Sequence, residues 1–218
     1  MIKAKALKPG DTIAIVAPAG PVEAGRLEKA AAVLRDMGFK VIIGKSCYER
    51  WGYLAGQDKL RADDVNRMFA WDEIDGIICM RGGYGTLRIL DLIDYDMISH
   101  HPKVFMGYSD ITALLTAITQ KSGLITFHGP MLTSDFLLPE FDSFTKKAML
   151  RAVAESKALG EINSPISEPK IEVLSPGKAR GLTVGGNMTL LCSTLGTPYE
   201  VDTRDKILLL EEIGEEPY

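Results

Sequence analysis

The strongest candidate for a reactive side chain is Ser109, where a short apolar run meets an apolar-periodic segment. The run at residues 104–106 predicts a buried strand, and the spacing over residues 111–118 predicts a helix. A serine on such a turn presents its hydroxyl beside unpaired helix amides. Acyl transfer requires such a hydroxyl to attack a carbonyl and such amides to hold the oxyanion. Serine is also a preferred N-cap residue, so a purely capping role stays open.

A second turn of this kind follows the apolar run at residues 76–80 and has the sequence Arg81-Gly82-Gly83-Tyr84-Gly85. Glycine accepts positive φ and lets backbone amides approach a ligand closely. Because parallel strands share a carboxyl edge where ligands bind, this loop can face Ser109 and offer an oxyanion donor. A phosphate-binding loop or a plain tight turn are the alternatives. The residues match neither G-x-G-x-x-G nor G-x-x-x-x-G-K-[ST], which disfavours a nucleotide loop.

A sheet must position these turns, and the first 130 residues alternate strand and helix patterns. This order predicts a flavodoxin- or Rossmann-like α/β domain, with a parallel sheet flanked by helices on both faces. The predicted strands cover residues 13–17, 40–43, 76–80, 104–106 and 124–127. The predicted helices cover residues 23–37, 58–70, 86–92 and 110–120.

The alternation of strand and helix patterns ends after a further predicted helix at residues 143–154. Residues 160–178 contain three prolines, two of them in Ser-Pro steps, which is typical of a linker or a crossing connection. Strand-like segments at residues 179–183 and 206–210 then flank a helical pattern at 188–195. The predicted organisation is an α/β domain over residues 1–155, a linker over 156–178 and the start of a second domain over 179–218.

The composition is that of an ordinary globular protein, with 46% hydrophobic residues, 25% charged residues and a net charge of −4. The acidic balance argues against a nucleic-acid-binding surface, which needs a basic patch. Three widely spaced cysteines without a C-x-x-C pair argue against a disulfide framework and favour a reducing compartment. Residues 13–17 are shorter than the roughly 7–15 residues of a signal-peptide core, and no run approaches the roughly 20 residues of a membrane span. We therefore expect a cytoplasmic protein.

Glu211 follows the apolar run at residues 207–210, and a carboxylate at a strand end can orient a histidine, as in a Ser-His-acid triad. A solvated acidic turn that also includes Glu212, Glu215 and Glu216 is the alternative. A metal site is disfavoured because no histidine and no H-E-x-x-H lies nearby.

A triad also needs a general base, and histidine is the usual one near neutral pH. His100 and His101 lie in a predicted loop before a strand, at the edge opposite to Ser109. His128 follows the predicted strand at residues 124–127, at the same edge as Ser109.

The chain resembles the LD-carboxypeptidase family of serine peptidases, which also contains the microcin C immunity hydrolases. The matching motifs occur in order over nearly all of the 218 residues. They are GDTIAIVAPAG at residues 10–20, YLAG at 53–56, RGGYG at 81–85, GYSDITAL at 107–114, FHGPM at 127–131, GGN at 185–187, LGTP at 195–198 and LEEIGE at 210–215. The resemblance implies a smaller, mostly β C-terminal domain after the α/β domain.

The resemblance also implies an activity: a serine carboxypeptidase that releases terminal D-alanine from a murein tetrapeptide in cell-wall recycling, without a metal or an organic cofactor. Ser109 would be the nucleophile, and Glu211 would be the charge-relay acid. The amide of Asp110, with one from Gly82 or Gly83, would form the oxyanion hole. The turn at Ser109 lacks the last glycine of the G-x-S-x-G elbow, so the α/β-hydrolase superfamily is not implied.

Arg81 and Tyr84 are predicted to line the substrate site, although a surface ion pair explains a single arginine equally well. The family's histidine is expected beyond Tyr218, so that His128 would be a structural or pocket-lining residue and the 218-residue chain would be inert. The expected partner is a small peptide resembling the murein tetrapeptide, and a homodimer is left open. The alternatives are an immunity-type hydrolase that cleaves an amide of a peptide-nucleotide toxin and a non-catalytic module that binds a small anion.

Overall fold

A five-stranded parallel sheet forms the centre of the protein, whose computed structural model describes residues 1–138, 143–162 and 171–215. Its strand order is β2-β1-β3-β4-β5, the order of flavodoxin-like folds. The strands are β1 (Thr12–Val16), β2 (Lys40–Ile43), β3 (Gly76–Cys79), β4 (Val104–Gly107) and β5 (Phe127–His128). The predicted class, a parallel sheet flanked by helices, is confirmed.

Helices cover both faces of the sheet because successive residues of the central strands β1, β3 and β4 point to opposite faces and nearly all are buried and apolar. Ile13 and Ile15 of β1 pack in one buried cluster, while Ala14 and Val16 pack in the other. Two of the helices pack against the cluster that contains Ile13 and Ile15, and three pack against the cluster that contains Ala14 and Val16. In chain order, the helices of this layer structure are α1 (Ala24–Asp36), α2 (Asp58–Ala70), α3 (Tyr95–His100), α4 (Thr112–Ser122) and α5 (Ser143–Ala154).

Several details differ from the sequence-based prediction. The strand predicted at residues 179–183 spans Leu182–Asn187. The last strand is shorter than predicted and lies later, since Leu124 forms only an isolated bridge to Ile2. His100 is the last residue of a short helix, α3, and not a loop residue, because Asp94 caps that helix through the amide of Met97. Residues 86–92 form a 3₁₀ helix. Part of the predicted linker, residues 163–170, lies outside the described residues.

A second, two-stranded parallel sheet follows. Strand β6 (Leu182–Asn187) pairs along its whole length with β7 (Lys206–Glu211), and helix α6 (Met188–Ser193) connects them. Asn187 accepts a hydrogen bond from the amide of Leu190 and so caps α6. The pairing places Glu211 beside Asn187. The division into domains stays a prediction, and the small sheet contacts α4 directly.

Two further sequence-based expectations concern cysteines and membranes. Cys47 and Cys79 are buried, Cys192 is exposed, and all three are free thiols. Burial raises the pKa of Cys47 to about 12, so this thiol stays protonated and unreactive. None of the helices over the described ranges is both long enough and apolar enough to cross a bilayer.

Candidate active site

Ser109 lies on the turn between β4 and α4, with a backbone φ of 59°. A left-handed conformation costs a non-glycine residue about 1–2 kcal/mol, so such residues are uncommon and often occur at functional sites. Gly107 makes the turn possible, because a Cβ there would lie 2.9 Å from the side chain of Ile111. Ile111 holds the N-cap position of α4, and no described side chain caps the helix. Ser109 is therefore not a capping residue.

The glycine-rich loop after β3 packs directly against this turn. A Cβ on Gly82 would lie 3.1 Å from Ser109 Cβ, 3.2 Å from its Oγ and 3.5 Å from the amide nitrogen of Asp110. There is thus no room for a side chain at position 82, and the backbone of Gly82 lies beside the Ser109 side chain. Gly83 has a φ of 127°, and a Cβ there would lie 3.4 Å from the Cα of Gly20.

Arg61 on α2 holds the loops of this edge together, a role that the sequence did not reveal. Its side chain is fully buried. Nη1 donates to the carbonyl of Gly85 at 3.0 Å and to that of Pro18, and Nε donates to the carbonyl of Gly56 at 3.3 Å. Its charge is balanced by Asp58. One guanidinium thus joins the loops that follow β1 and β3 to the start of α2.

Asp110 connects the Ser109 turn to the residues after the glycine-rich loop. Its Oδ2 accepts a hydrogen bond from the amide of Thr86 at 3.0 Å, and the Thr86 hydroxyl donates to the Asp110 carbonyl. Burial raises the pKa of Asp110, although hydrogen bonds from Thr86 partly oppose the shift. The side chain of Asp110 therefore has a structural role, while its backbone lies beside Gly82.

Glu211, at the end of β7, lies close to His128 of β5. Glu211 Oε1 is 4.0 Å from His128 Nε2, and both side chains are about one-third exposed. This oxygen is buried, and no described residue forms a hydrogen bond with it. Burial lowers the pKa of His128, whereas the charge of Glu211 acts in the opposite direction. His128 therefore favours its neutral form beside an acceptor that has no other partner among the described residues.

Glu212 differs from Glu211 because its carboxylate is fully used by hydrogen bonds. It accepts from Asn187 Nδ2 at 2.9 Å, from the Thr189 amide at 2.9 Å and from the Thr189 hydroxyl at 2.6 Å. Hydrogen bonds, that of Thr189 first, lower the pKa of Glu212 to about 2. Of the two neighbouring carboxylates, Glu212 stabilises the junction of β6 and α6, and Glu211 remains available for chemistry.

Gly186 explains how the small sheet reaches the candidate site. A Cβ at this position would lie 2.8 Å from Thr112 Oγ1 and 3.2 Å from His128 Nδ1, so only glycine allows β6 to contact α4 and β5 together. The adjacent amide of Asn187 donates to Thr112 Oγ1 at 3.1 Å. Since Thr112 begins α4, three residues after Ser109, this contact fixes β6 and its partner β7 beside the turn.

The two predicted substrate-lining residues lie on the glycine-rich loop. Tyr84 is exposed and packs edge-to-face against Tyr53, with 5.6 Å between the ring centroids. Arg81 donates from Nε to the carbonyl of Gly82 at 3.2 Å and from Nη1 to that of Pro21 at 3.5 Å. It makes no ion pair with a described acidic residue, contrary to the surface-pair alternative. Within the described ranges, no three His, Cys, Asp or Glu side chains group in a way that could hold a metal ion.

Comparison with known proteins assigns this fold and site to a family. Residues 13–129 match the LD-carboxypeptidase N-terminal domain, and residues 180–218 match the LD-carboxypeptidase C-terminal domain. The chain belongs to the LD-carboxypeptidase family. It is 48% identical over 217 residues to the probable murein peptide carboxypeptidase of Bacillus subtilis, covering 99% of this chain and 66% of that protein. It thus spans about two thirds of the length of this relative.

Solved structures agree with this assignment. The microcin C7 self immunity protein MccF, in its inactive mutant apo state, matches with a TM-score of 0.81 at 30% identity, over 96% of this chain and 70% of that one. Muramoyltetrapeptide carboxypeptidase from Oxalobacter formigenes matches with a TM-score of 0.76 at 29% identity, over 95% of this chain and 67% of that one.

Proposed function

We propose that this chain carries the nucleophile and the charge-relay acid of a serine carboxypeptidase that releases terminal D-alanine from a murein tetrapeptide in the cytoplasm, in cell-wall recycling. The observation that carries the proposal is the left-handed Ser109 on the β4–α4 turn, beside Gly82 of a second loop. The 48% identity to a probable murein peptide carboxypeptidase supports the substrate class.

In this mechanism, Ser109 Oγ attacks the carbonyl of the bond before the terminal residue. The amides of Asp110 and of Gly82 or Gly83 stabilise the oxyanion that develops. Glu211 orients the general base, a histidine, and stabilises its imidazolium form. The base takes the Oγ proton of Ser109 and gives it to the nitrogen of D-alanine, which leaves as the C–N bond breaks. The acyl-enzyme that remains is hydrolysed by water, which the same base activates. The mechanism uses neither a metal nor an organic cofactor.

There are two candidate histidines for the general base. One is the histidine that the family resemblance implies outside residues 1–218, and the inertness of the 218-residue chain stays a prediction. His128, 4.0 Å from Glu211, is the alternative. The test is to assay this chain, and a form extended by the remaining third found in its relatives, against the same tetrapeptide. Comparable turnover by both would favour His128 as the base.

The assignment of the nucleophile is tested by Ser109→Ala in the active form. Loss of a triad nucleophile costs on the order of 10⁶ in kcat. A purified Ser109→Ala variant that retains wild-type turnover would remove Ser109 from the mechanism. Labelling of Ser109 by a serine-directed phosphonate would separate an enzyme from a module that only binds anions.

An immunity-type amide hydrolase is the second candidate, because the MccF structure matches with a TM-score of 0.81. The two activities need the same nucleophile and oxyanion hole but different leaving groups. Comparing kcat/KM for a tetrapeptide that ends in D-alanine with kcat/KM for an aminoacyl-nucleotide amide decides between them.

A further inference from the structure

An arginine-lined pocket lies next to the candidate active site. It has a volume of about 390 Å³ and is formed by the start of α1, the glycine-rich loop and the turn at Leu132–Phe136. Arg26, Arg50 and Arg81 line it from three separate segments of the chain, and Glu23 is the one acidic side chain among its described lining residues. The pocket therefore has an excess of positive charge.

The three arginines are not neutralised by the described part of the protein. Arg26 Nη2 donates to the carbonyl of Thr133 at 2.5 Å, and Arg81 donates to two backbone carbonyls. None of the three pairs with a described carboxylate. Other arginines of the chain do, such as Arg88 with Asp58 at 2.8 Å and Arg67 with Asp64 at 2.7 Å. Guanidinium groups held by carbonyls keep donors available for a bidentate contact with a carboxylate or a phosphate.

The pocket adjoins the Ser109 turn on two sides. On one side, Arg81 immediately precedes Gly82, where an added Cβ would lie 3.2 Å from Ser109 Oγ. On the other side, Ser134 lines the pocket, and its neighbour Asp135 accepts a hydrogen bond from the Tyr108 hydroxyl at 3.3 Å. Tyr108 directly precedes Ser109. An anion in the pocket would therefore lie close to a carbonyl that Ser109 attacks.

We infer that Arg26, Arg50 and Arg81 bind the terminal carboxylate of the peptide substrate, an inference that rests on the proposed function. In a carboxypeptidase substrate this carboxylate belongs to the residue just after the scissile carbonyl, and consecutive Cα atoms are about 3.8 Å apart. A carboxylate site beside the nucleophile thus restricts cleavage to the last bond. Each arginine contributes to the affinity for a peptide with a free C-terminal carboxylate and contributes little to the affinity for a peptide with an amidated C-terminus.

The test measures binding to a Ser109→Ala chain, so that no turnover occurs. The probes are a tetrapeptide ending in D-alanine, the same peptide as its C-terminal carboxamide, and inorganic phosphate, each titrated by calorimetry. Because a hydrogen bond to a charged group contributes about 1.5–3 kcal/mol, the carboxamide should bind at least about tenfold more weakly. Arg50→Gln should weaken binding of the acid by a similar factor and leave binding of the carboxamide unchanged.

Arg35→Gln is the matched control, since Arg35 lies on α1 at the end away from the pocket and pairs with Glu28. It should not change the affinity for either peptide. Equal affinity for acid and carboxamide would overturn the inference, as would an equal loss in Arg35→Gln and Arg50→Gln. Inorganic phosphate that binds more tightly than the peptide acid would make the pocket a phosphate site and would also overturn it. A melting curve of each variant excludes loss of folding as the cause.

A hydrolysis assay of the form extended by the remaining third found in its relatives, with Ser109 intact, separates this inference from the proposed function. Absence of hydrolysis together with carboxylate-dependent binding would refute the enzyme and leave the pocket assignment standing. Hydrolysis with kcat/KM unchanged by Arg50→Gln and by Arg26→Gln would refute the pocket assignment and leave the enzyme standing.

Discussion

His128 Nε2 and Glu211 Oε1 lie 4.0 Å apart, although the two residues belong to different sheets. Burial lowers the pKa of His128 below 6.5, and the charge of Glu211 limits that shift. Glu211→Gln should therefore lower the pKa of His128 further, because a neutral amide no longer favours the imidazolium. Titration of the histidine ring signals by NMR measures this.

His100 and His101 serve as internal references in the same spectra, because they lie before β4, outside the Glu211 contact. Their ring signals should have the same chemical shifts in wild type and in Glu211→Gln. A His128 titration that does not respond to Glu211→Gln would show that the two side chains do not interact in solution.

The strained backbone of Ser109 gives a stability prediction. Glycine adopts a φ of 59° without a steric penalty, whereas alanine does not. Ser109→Gly should therefore be about 1 kcal/mol more stable than Ser109→Ala, which corresponds to roughly 2–4 °C in Tm for a chain of this size. Both variants lack the hydroxyl, so thermal melting compares the backbone alone. Equal Tm values would mean that the turn is not left-handed.

Gly82→Ala tests the contact between the glycine-rich loop and the nucleophile. The added Cβ would lie 3.1–3.2 Å from the Ser109 side chain, which forces the loop or the hydroxyl to shift. A misplacement of up to 1 Å at a reacting group costs about 10²-fold, so kcat should fall by up to that factor with little change in Tm. Gly177→Ala is the control, because a Cβ there meets no atom within 4 Å. A wild-type kcat in Gly82→Ala would separate this loop from the oxyanion hole.

The low pKa of Glu212 predicts that the folded protein loses stability at acid pH. Its pKa in the folded protein is about 2, below the ordinary 4.5, so its stabilising effect is complete above pH 4.5 and is lost as the pH falls towards 2. The Tm difference between wild type and Glu212→Gln should be largest at pH 6 and should shrink on titration to pH 3. Glu215→Gln is the control, because Glu215 makes no ion pair within the described chain. A Tm difference that does not vary with pH would contradict the role of the charge.

Chelators should not affect hydrolysis. The proposed chemistry uses Ser109, Glu211 and a histidine, and backbone amides stabilise the oxyanion. Activity measured with and without EDTA, after removal of metal by dialysis, checks this. Loss of activity in EDTA with recovery on addition of zinc would assign Glu211 and its acidic neighbours to a metal site.

The local sequence determined the elements and the turns of this protein. Short continuous apolar runs indicated that β1, β3 and β4 are strands buried on both faces, so a parallel sheet with helices on both sides could be predicted. Gly82 and Ser109 could be placed at one edge, because each follows a buried strand and parallel strands share that edge. These properties depend on residues that are near one another in the chain.

Contacts between distant segments were decided only by the tertiary structure. The sequence carries no signal that β7 would bring Glu211 to His128, since this depends on the register of β6 with β7 and on the close contact of Gly186 with Thr112. Burial of Arg61 was equally hidden, because its acceptors are backbone carbonyls of three loops, which any residue type provides. The arginine-lined pocket was also hidden from the sequence, because Arg26, Arg50 and Arg81 belong to three segments that meet only in the folded protein.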